Sequence, residues 1–263
     1  MFRLLVVVLS FCFFTSPASA NEFAKKVCEG KLGVGWRCLV IKKGQSWNNI
    51  PDLADDESYR YFVQRYNRQN TPLRRRQHLV LPPTETNWMD LSPLPEYLVF
   101  LGYTVDSSDV IVFSPRELAW GHYLQGKLVA WGPAVGGKDW CPDIGRRCRT
   151  TEGIYHFIEV AGPNRRSSAY PVGCAQKDSA GNIISRGRCA KMPYFTRLTE
   201  GGLGFHDRPA PGKNASHGCV GMFSRDAKRL SEHIRRVVGK KEFGWLTQEQ
   251  QELSPVFIVL PYE

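Results

Sequence analysis

The sequence predicts a mainly β domain with one late helix, preceded by a small α+β module. Three observations lead there. From Tyr97 onward, short apolar or alternating runs such as "DVIVFS", "LAWGHYL", "KLVAWGP", "GIYHFIEV" and "SPVFIVLPY" are separated by glycine and polar turns, the pattern of strands. In that half only the stretch after Phe223 carries helical spacing, with Leu230, Ile234 and Val237 or Val238 on one face. Upstream, Cys38 to Pro83 reads as strand, helix, helix, strand.

Taken in order, the chain opens with Arg3, an apolar run from Leu4 to Phe14 and the small residues Ala18-Ser19-Ala20. That is the pattern of a cleaved secretory leader over 1–20, with Asn21 as the mature terminus; the apolar run is too short to span a bilayer. Cys12 lies inside the apolar run behind Phe11, which argues against lipidation. In the module at 38–83, "CLVIKKGQSWNNI" gives a strand, a turn at Lys43-Gly44 and a helix start near Ser46. "DESYRYFVQRYNRQN" sets Tyr59, Phe62, Val63 and Tyr66 at helical spacing, and "LRRRQHLVLPP" ends in a strand stopped by Pro82-Pro83. Residues 84–96 are proline-rich and polar and are expected to be a linker, so the β domain spans 97–263. There Gln125-Gly126 makes a hairpin turn, Ser224 is the expected N-cap of the late helix, and Gly239 is its C′ residue.

The formal charge is +10, or +9 once Arg3 leaves with the leader. A basic exported chain points to an anionic surface such as a wall polymer, lipopolysaccharide or membrane. No zinc-finger spacing, aromatic-glycine RNA motif or helix-turn-helix supports a nucleic-acid partner, and no later segment is apolar enough for stable membrane insertion.

Eight cysteines become seven when Cys12 is removed. Six lie as close pairs: Cys28 with Cys38, Cys141 with Cys148, and Cys174 with Cys189. Six cysteines allow fifteen pairings, of which the local one is the simplest. It leaves Cys219 alone, and an odd thiol in an exported protein is intermolecular or reactive.

Cys219 stands in "GFHDRPAPGKNASHGCVGMF". An imidazole or a positive field turns a thiol into a nucleophile. His217, two residues back, shares a strand face with Cys219; His206 returns across the turn-rich "DRPAPGKNA". Gly218 allows close approach of a substrate, and the amides near Gly218 and Cys219 are expected to receive an oxyanion. The loop position of His206 is expected to point outward from a core. Zinc ligation by His206, His217 and Cys219 is the alternative, with only Asp207 nearby as a fourth ligand. A papain-like protease has the reverse order and a longer spacing.

The segment resembles the catalytic motif of the L,D-transpeptidase (YkuD) family: an upstream His, a variable loop, then Ser/Thr-His-Gly-Cys. Here it runs from His206 to Ser216-His217-Gly218-Cys219-Val220. "DVIVFSPRELAWGHYLQGKLVAWGPAVGG", "RTTEGIYHF" and "MPYFTRLTEGGLGFH" resemble further stretches of that family, so the likeness covers about Asp109 to Arg236. It implies a β-sandwich-like catalytic domain, Cys219 as nucleophile, His206 as general acid/base, and His217 with Ser216 as orienting or oxyanion-holding groups. It also implies a peptidoglycan stem tetrapeptide as acyl donor and no cofactor or metal. Gly221 departs from the Arg or Asn that the family carries two residues after the nucleophile, and Arg208 or Arg225 is expected to compensate as a substrate-binding residue.

The module at 38–83 resembles a degenerate LysM domain through Gly44-Gln45-Ser46-Trp47, Tyr66-Asn67-Arg68 and Gln77-His78-Leu79-Val80-Leu81-Pro82, with Arg76 in place of the usual Gly. That implies peptidoglycan binding through an exposed Trp47. The expected protein is a periplasmic or secreted L,D-transpeptidase. Its acceptor is a stem peptide, a lipoprotein lysine or a D-amino acid. The alternatives are an L,D-carboxypeptidase or a weakened wall-binding or adhesion protein.

Overall fold

The computed structural model describes residues 19–102 and 107–263. All but the last two residues of the expected leader lie outside the described residues. Among the described residues no helix is long and apolar enough to cross a membrane.

Helix α1 (Ala20–Glu29) is capped by the Ser19 side chain, which accepts from the Glu22 amide. Strand β1 (Arg37–Val40) follows, joined to α1 by the Cys28–Cys38 disulfide. Helix α2 (Pro51–Ala54) starts on a proline whose missing N–H is tolerated at that position, and α3 (Glu57–Tyr66) is capped by Asp56 accepting from the Tyr59 amide. Strand β2 (His78–Leu81) returns antiparallel to β1. The first helix of the 38–83 module, α2, therefore begins at Pro51 and not near Ser46, whose amide instead donates to Asn49 Oδ1 in a tight turn.

Ile41, Ile50, Leu53, Val63, Leu79 and Leu81 form a small core between these elements. Trp47 belongs to it. The indole is only 7% exposed and its Nε1 donates to the Thr71 carbonyl at 2.8 Å, which corrects the expectation of an exposed Trp47. A module this small has little other apolar volume, so its largest side chain turns inward and its one polar atom finds a carbonyl.

The larger part comprises β3 (Asp109–Ser114), β4 (Ala119–Leu124), β5 (Lys127–Val135), β6 (Gly153–Tyr155), β7 (Glu159–Val160), a separate ribbon of β8 (Gln176–Lys177) and β9 (Ile183–Ser185), β10 (Thr196–Arg197), β11 (Gly204–Asp207), β12 (Val220–Met222), helix α4 (Ser224–Val237), β13 (Gly244–Trp245), helix α5 (Gln248–Leu253) and β14 (Val256–Val259). Ten of the strands make one curled sheet in the order β13-β7-β10-β11-β12-β5-β4-β3-β14-β6, so the fold is mainly β, as the sequence predicts. Alternation along β3 and β4 gives the sheet two apolar faces. Ile111, Phe113 and Trp120 face α4 through Leu230 and Ile234, while Val110, Val112 and Tyr123 face the segment before β3 through Leu94 and Leu98.

The stretch expected to be a linker is bound to that second face. The Trp88 ring stacks on Trp131 with centroids 4.0 Å apart, and each indole donates to the other's carbonyl, at 3.1 and 2.9 Å. Helix α4 begins one residue earlier than a Ser224 cap implies: Phe223 is the N-cap and Ser224 turns its side chain to Asp207. Gly239 follows the helix with φ +65°, the C′ role expected of it.

One buried pair joins the two parts. Arg65 of α3 reaches both oxygens of Asp226 on α4 at 2.7 Å and the Trp131 carbonyl at 3.0 Å, and Trp120 Nε1 adds a 3.3 Å bond to Asp226. Burial pushes the Asp226 carboxyl up and Arg65 pulls it back down, with burial the larger effect. Gly132 makes room for the group, since a Cβ there would run into Asp226, Arg65 Nη2 and Trp120 Nε1 together. Removing one member of such a pair strands the other charge, at a cost of about 3–5 kcal/mol. Arg65→Met should lose that much in denaturant unfolding, and Arg65→Met combined with Asp226→Leu should recover more than half of it. Equal losses in the single and double variants would mean that the charges do not act on each other.

Candidate active site

His206 lies on β11 and Cys219 immediately precedes β12. The two strands run parallel, with Phe205 opposite Val220 and His206 opposite Gly221. Parallel pairing brings the two ends of the motif side by side, and residues 208–218 must travel back over the sheet to allow it. His206 is buried in the strand, which corrects the expectation of an outward-pointing loop residue. Its Nδ1 sits 2.7 Å from the Asp207 carbonyl, so Nδ1 carries the proton and Nε2 is free to accept one. Burial pulls the imidazole down to about 4, against the Asp207 bond.

Cys219 is the free cysteine among the described residues, the other six being paired as 28–38, 141–148 and 174–189. Its thiol points to the Gly202 carbonyl at 3.4 Å. Burial pushes it up to about 11, opposed by a backbone hydrogen bond at Gly204 and the positive charges of Arg208 and Arg197. Near neutral pH the cavity thus holds a thiol and a neutral imidazole. Both residues line one cavity of about 480 Å³.

The loop between them is fastened on every side. Ser216, buried, donates to the Cys219 carbonyl and accepts from the Gly218 amide at 3.0 Å. The Gly218 amide is therefore committed and is not the oxyanion donor expected of it. Gly218 has φ +125°, a conformation that favours glycine. Its carbonyl accepts from Thr150 Oγ1 at 2.7 Å, and the Thr150 amide donates to Tyr262 at 2.8 Å. Asn70 of the N-terminal module clasps the start of the loop: the Ala210 amide donates to Asn70 Oδ1 at 2.7 Å and the Asn70 amide to the Ala210 carbonyl at 3.0 Å.

His217 turns away from His206. Its Nε2 meets Asp143 at 2.7 Å and its ring stacks on Tyr170 at 4.4 Å. It thereby joins the loop stapled by Cys141–Cys148 to the chain leading into the one stapled by Cys174–Cys189. His206, His217 and Cys219 do not converge as a ligand set. Among the described residues, Asp109, His122 and His233 lie closer together, but there Asp109 already meets both Nε2 atoms, at 2.8 and 2.7 Å.

Seven arginines line the cavity (Arg146, Arg147, Arg149, Arg165, Arg166, Arg197 and Arg208), and no carboxylate does. Behind the wall Glu159 takes Arg197 at 2.7 Å and Arg165 at 3.1 Å. Of the two expected substrate-binding arginines, Arg208 is in the cavity and Arg225 is not: the Arg225 guanidinium lies 4.5 Å over the Tyr61 ring, on the side of the N-terminal module. Sequence reasoning missed Thr150, Asp143, Tyr170 and most of the arginines; the dense "GRRCRTT" beside a cysteine pair was the available signal.

The family described as the L,D-transpeptidase catalytic domain, YkuD, matches residues 108–256. No curated protein matches the chain. Among solved structures the chain is similar to an L,D-transpeptidase from Mycobacterium smegmatis, at 17% identity over 59% of each chain with a TM-score of 0.39. It is also similar to one from Stackebrandtia nassauensis, at 16% identity over 60% of this chain and 58% of that one, TM-score 0.39. A third, residues 123–326 of an L,D-transpeptidase from Xylanimonas cellulosilytica, shows 16% identity over 70% of this chain and 72% of that one, TM-score 0.41. The chain covers about three fifths of the length of the first two.

The two shifted groups give opposite pH signatures. With the Cys219 thiol up at about 11, its alkylation by iodoacetamide should keep rising about tenfold per pH unit beyond pH 9. A plateau near the ordinary thiol value of about 8.5 would contradict the burial. His206, held down at about 4 from 6.5, contributes stability that is present above pH 6.5 and lost as pH falls through 4. Unfolding free energies at pH 7 and pH 4 should therefore differ by about 3 kcal/mol less in His206→Gln than in the wild type.

Proposed function

Because the chain belongs to the YkuD family of L,D-transpeptidase catalytic domains, we propose that it is an exported L,D-transpeptidase that works on peptidoglycan stem peptides through a Cys219 thioester. The observation that carries this reading is the free thiol of Cys219 and the neutral, Nδ1-protonated His206 on adjacent strands of one arginine-lined cavity. As Sγ bonds to the donor carbonyl carbon, its proton passes to His206 Nε2. The carbonyl–nitrogen bond then breaks, His206 returns the proton to the leaving amine, and D-alanine departs. An acceptor amine next loses a proton to His206, attacks the thioester and releases Cys219, which recovers that proton. Arg208 and Arg197 supply the positive field in which the transient thiolate is tolerated.

Export through the leader at 1–20 fits the three disulfides, which persist in an oxidising compartment. Disaccharide-tetrapeptide incubated with the enzyme should give a cross-linked dimer and free D-alanine by mass spectrometry. Tripeptide alone would mean that water is the acceptor, and unchanged substrate would reject the reading. Cys219→Ala should abolish product and also the one-inhibitor mass gain expected with a carbapenem. His206→Gln should lower turnover by about two to four decades.

The module at 38–83 adds contact with the wall in this proposal. With Trp47 in the core, the exposed Arg74, Arg75 and Arg76 carry that contact. Co-sedimentation of Cys219→Ala protein with insoluble peptidoglycan should then fall steeply between 0.15 and 1 M salt, as the Debye length shrinks from about 8 to about 3 Å. Binding that survives 1 M salt would instead indicate sugar recognition of the LysM kind.

A further inference from the structure

Arg208 differs from the salt-bridged cavity arginines, and unlike Arg166, whose guanidinium also finds only a carbonyl, it acts directly on Cys219 and His206. Arg149 is paired with Asp139 and Glu263, and Arg165 and Arg197 share Glu159. Arg208 is partly buried beside Cys219 and His206, and its hydrogen bond goes to the Ala215 carbonyl at 3.2 Å, with no carboxylate against it. A guanidinium has five N–H donors in a planar fork suited to a carboxylate. Withdrawn from water and unpaired, it is an open position for an anion.

Gly221 makes that placement possible. The Arg208 stem lies across it, so a Cβ at 221 would come within 3.0 Å of Arg208 Cδ and 3.1 Å of its Cβ. Gly221 is opposite His206 in the β11–β12 register, which fixes the stem next to the reacting groups.

We infer that Arg208 is the residue that selects the acyl donor, its guanidinium holding the α-carboxylate of the residue that leaves. This rests on the transpeptidase reading above. In such a donor that carboxylate is two bonds from the scissile nitrogen and so is the anion nearest the carbonyl that Cys219 attacks. The side chain acts on binding and orientation and takes no part in proton transfer.

The test compares a tetrapeptide donor with its C-terminal carboxamide, which removes the charge and keeps the shape, using the full oxidised chain. The wild type should favour the carboxylate by roughly 10- to 100-fold in kcat/KM. Arg208→Gln should lose about that factor on the carboxylate donor and little on the amide, so that the preference collapses. Arg208→Lys should keep part of the preference, and Gly221→Ala, by moving the stem, should reduce it. Iodoacetamide labelling of Cys219 and the melting temperature show in each variant that the site is formed. A preference that persists in Arg208→Gln, or wild-type turnover of both donors at one rate, overturns the inference and leaves the transpeptidase reading standing. A labelled, folded wild type that turns over neither donor overturns both.

Discussion

Helix α4 starts two residues after β12, so whatever fixes α4 also fixes the strand that delivers Cys219. Arg65 does much of that fixing. Its guanidinium lies 4.7 Å from the Trp88 ring and 5.5 Å from Tyr61, bonds Asp226 at the start of α4, and touches the carbonyl of Trp131 in β5. One charge thus meets the N-terminal module, the segment after it, the sheet and the helix. Desolvating it is expensive, and the pair repays that only because Asp226 accepts from both Arg65 and Trp120. The N-terminal module is accordingly part of the scaffold on which the cavity stands: Asn70, between α3 and β2, holds the first part of the loop that joins His206 to Cys219.

The cavity sets two influences against each other at Cys219. Burial favours the uncharged thiol, and the arginines favour the thiolate. Burial prevails in the free protein, so the sulfur is kept in its unreactive form, less open to oxidation than a standing thiolate. His206 is biased the same way: its Nδ1 proton is fixed by the Asp207 carbonyl, and its other nitrogen is left basic but weakly so. Charge separation is thus absent from the resting state and, in the proposed reaction, arises only as the thiol attacks.

Much of this was legible in residues with local meaning. The close cysteine pairs pointed to the three disulfides and to a solitary Cys219. The glycine-punctuated apolar runs gave the mainly β class, and the two ends of the His206–Cys219 motif meet as their spacing suggested. What escaped depends on which way a side chain turns once distant segments meet. Trp47 looked like a surface aromatic until its small core needed filling. Trp88 looked like linker until Trp131 offered a face to stack on. The Gly218 amide looked free because Ser216 sits two residues away with no periodicity to reveal its Oγ. Arg208 lies two residues after His206 and Arg225 six after Cys219, and only the folded path of the chain sends the first into the cavity and the second against Tyr61.

The clasp of Asn70 on Ala210 spans 140 residues, whereas the disulfides close over 10, 7 and 15. Closing the long loop costs about 2 kcal/mol more chain entropy than closing the short ones. Each of the six cysteines is correspondingly nearer in sequence to its own partner than to residue 219. The final pairing follows proximity in sequence. The three short closures use six of the sulfurs close to home, and the seventh lies just beyond the long closure that the distant module makes.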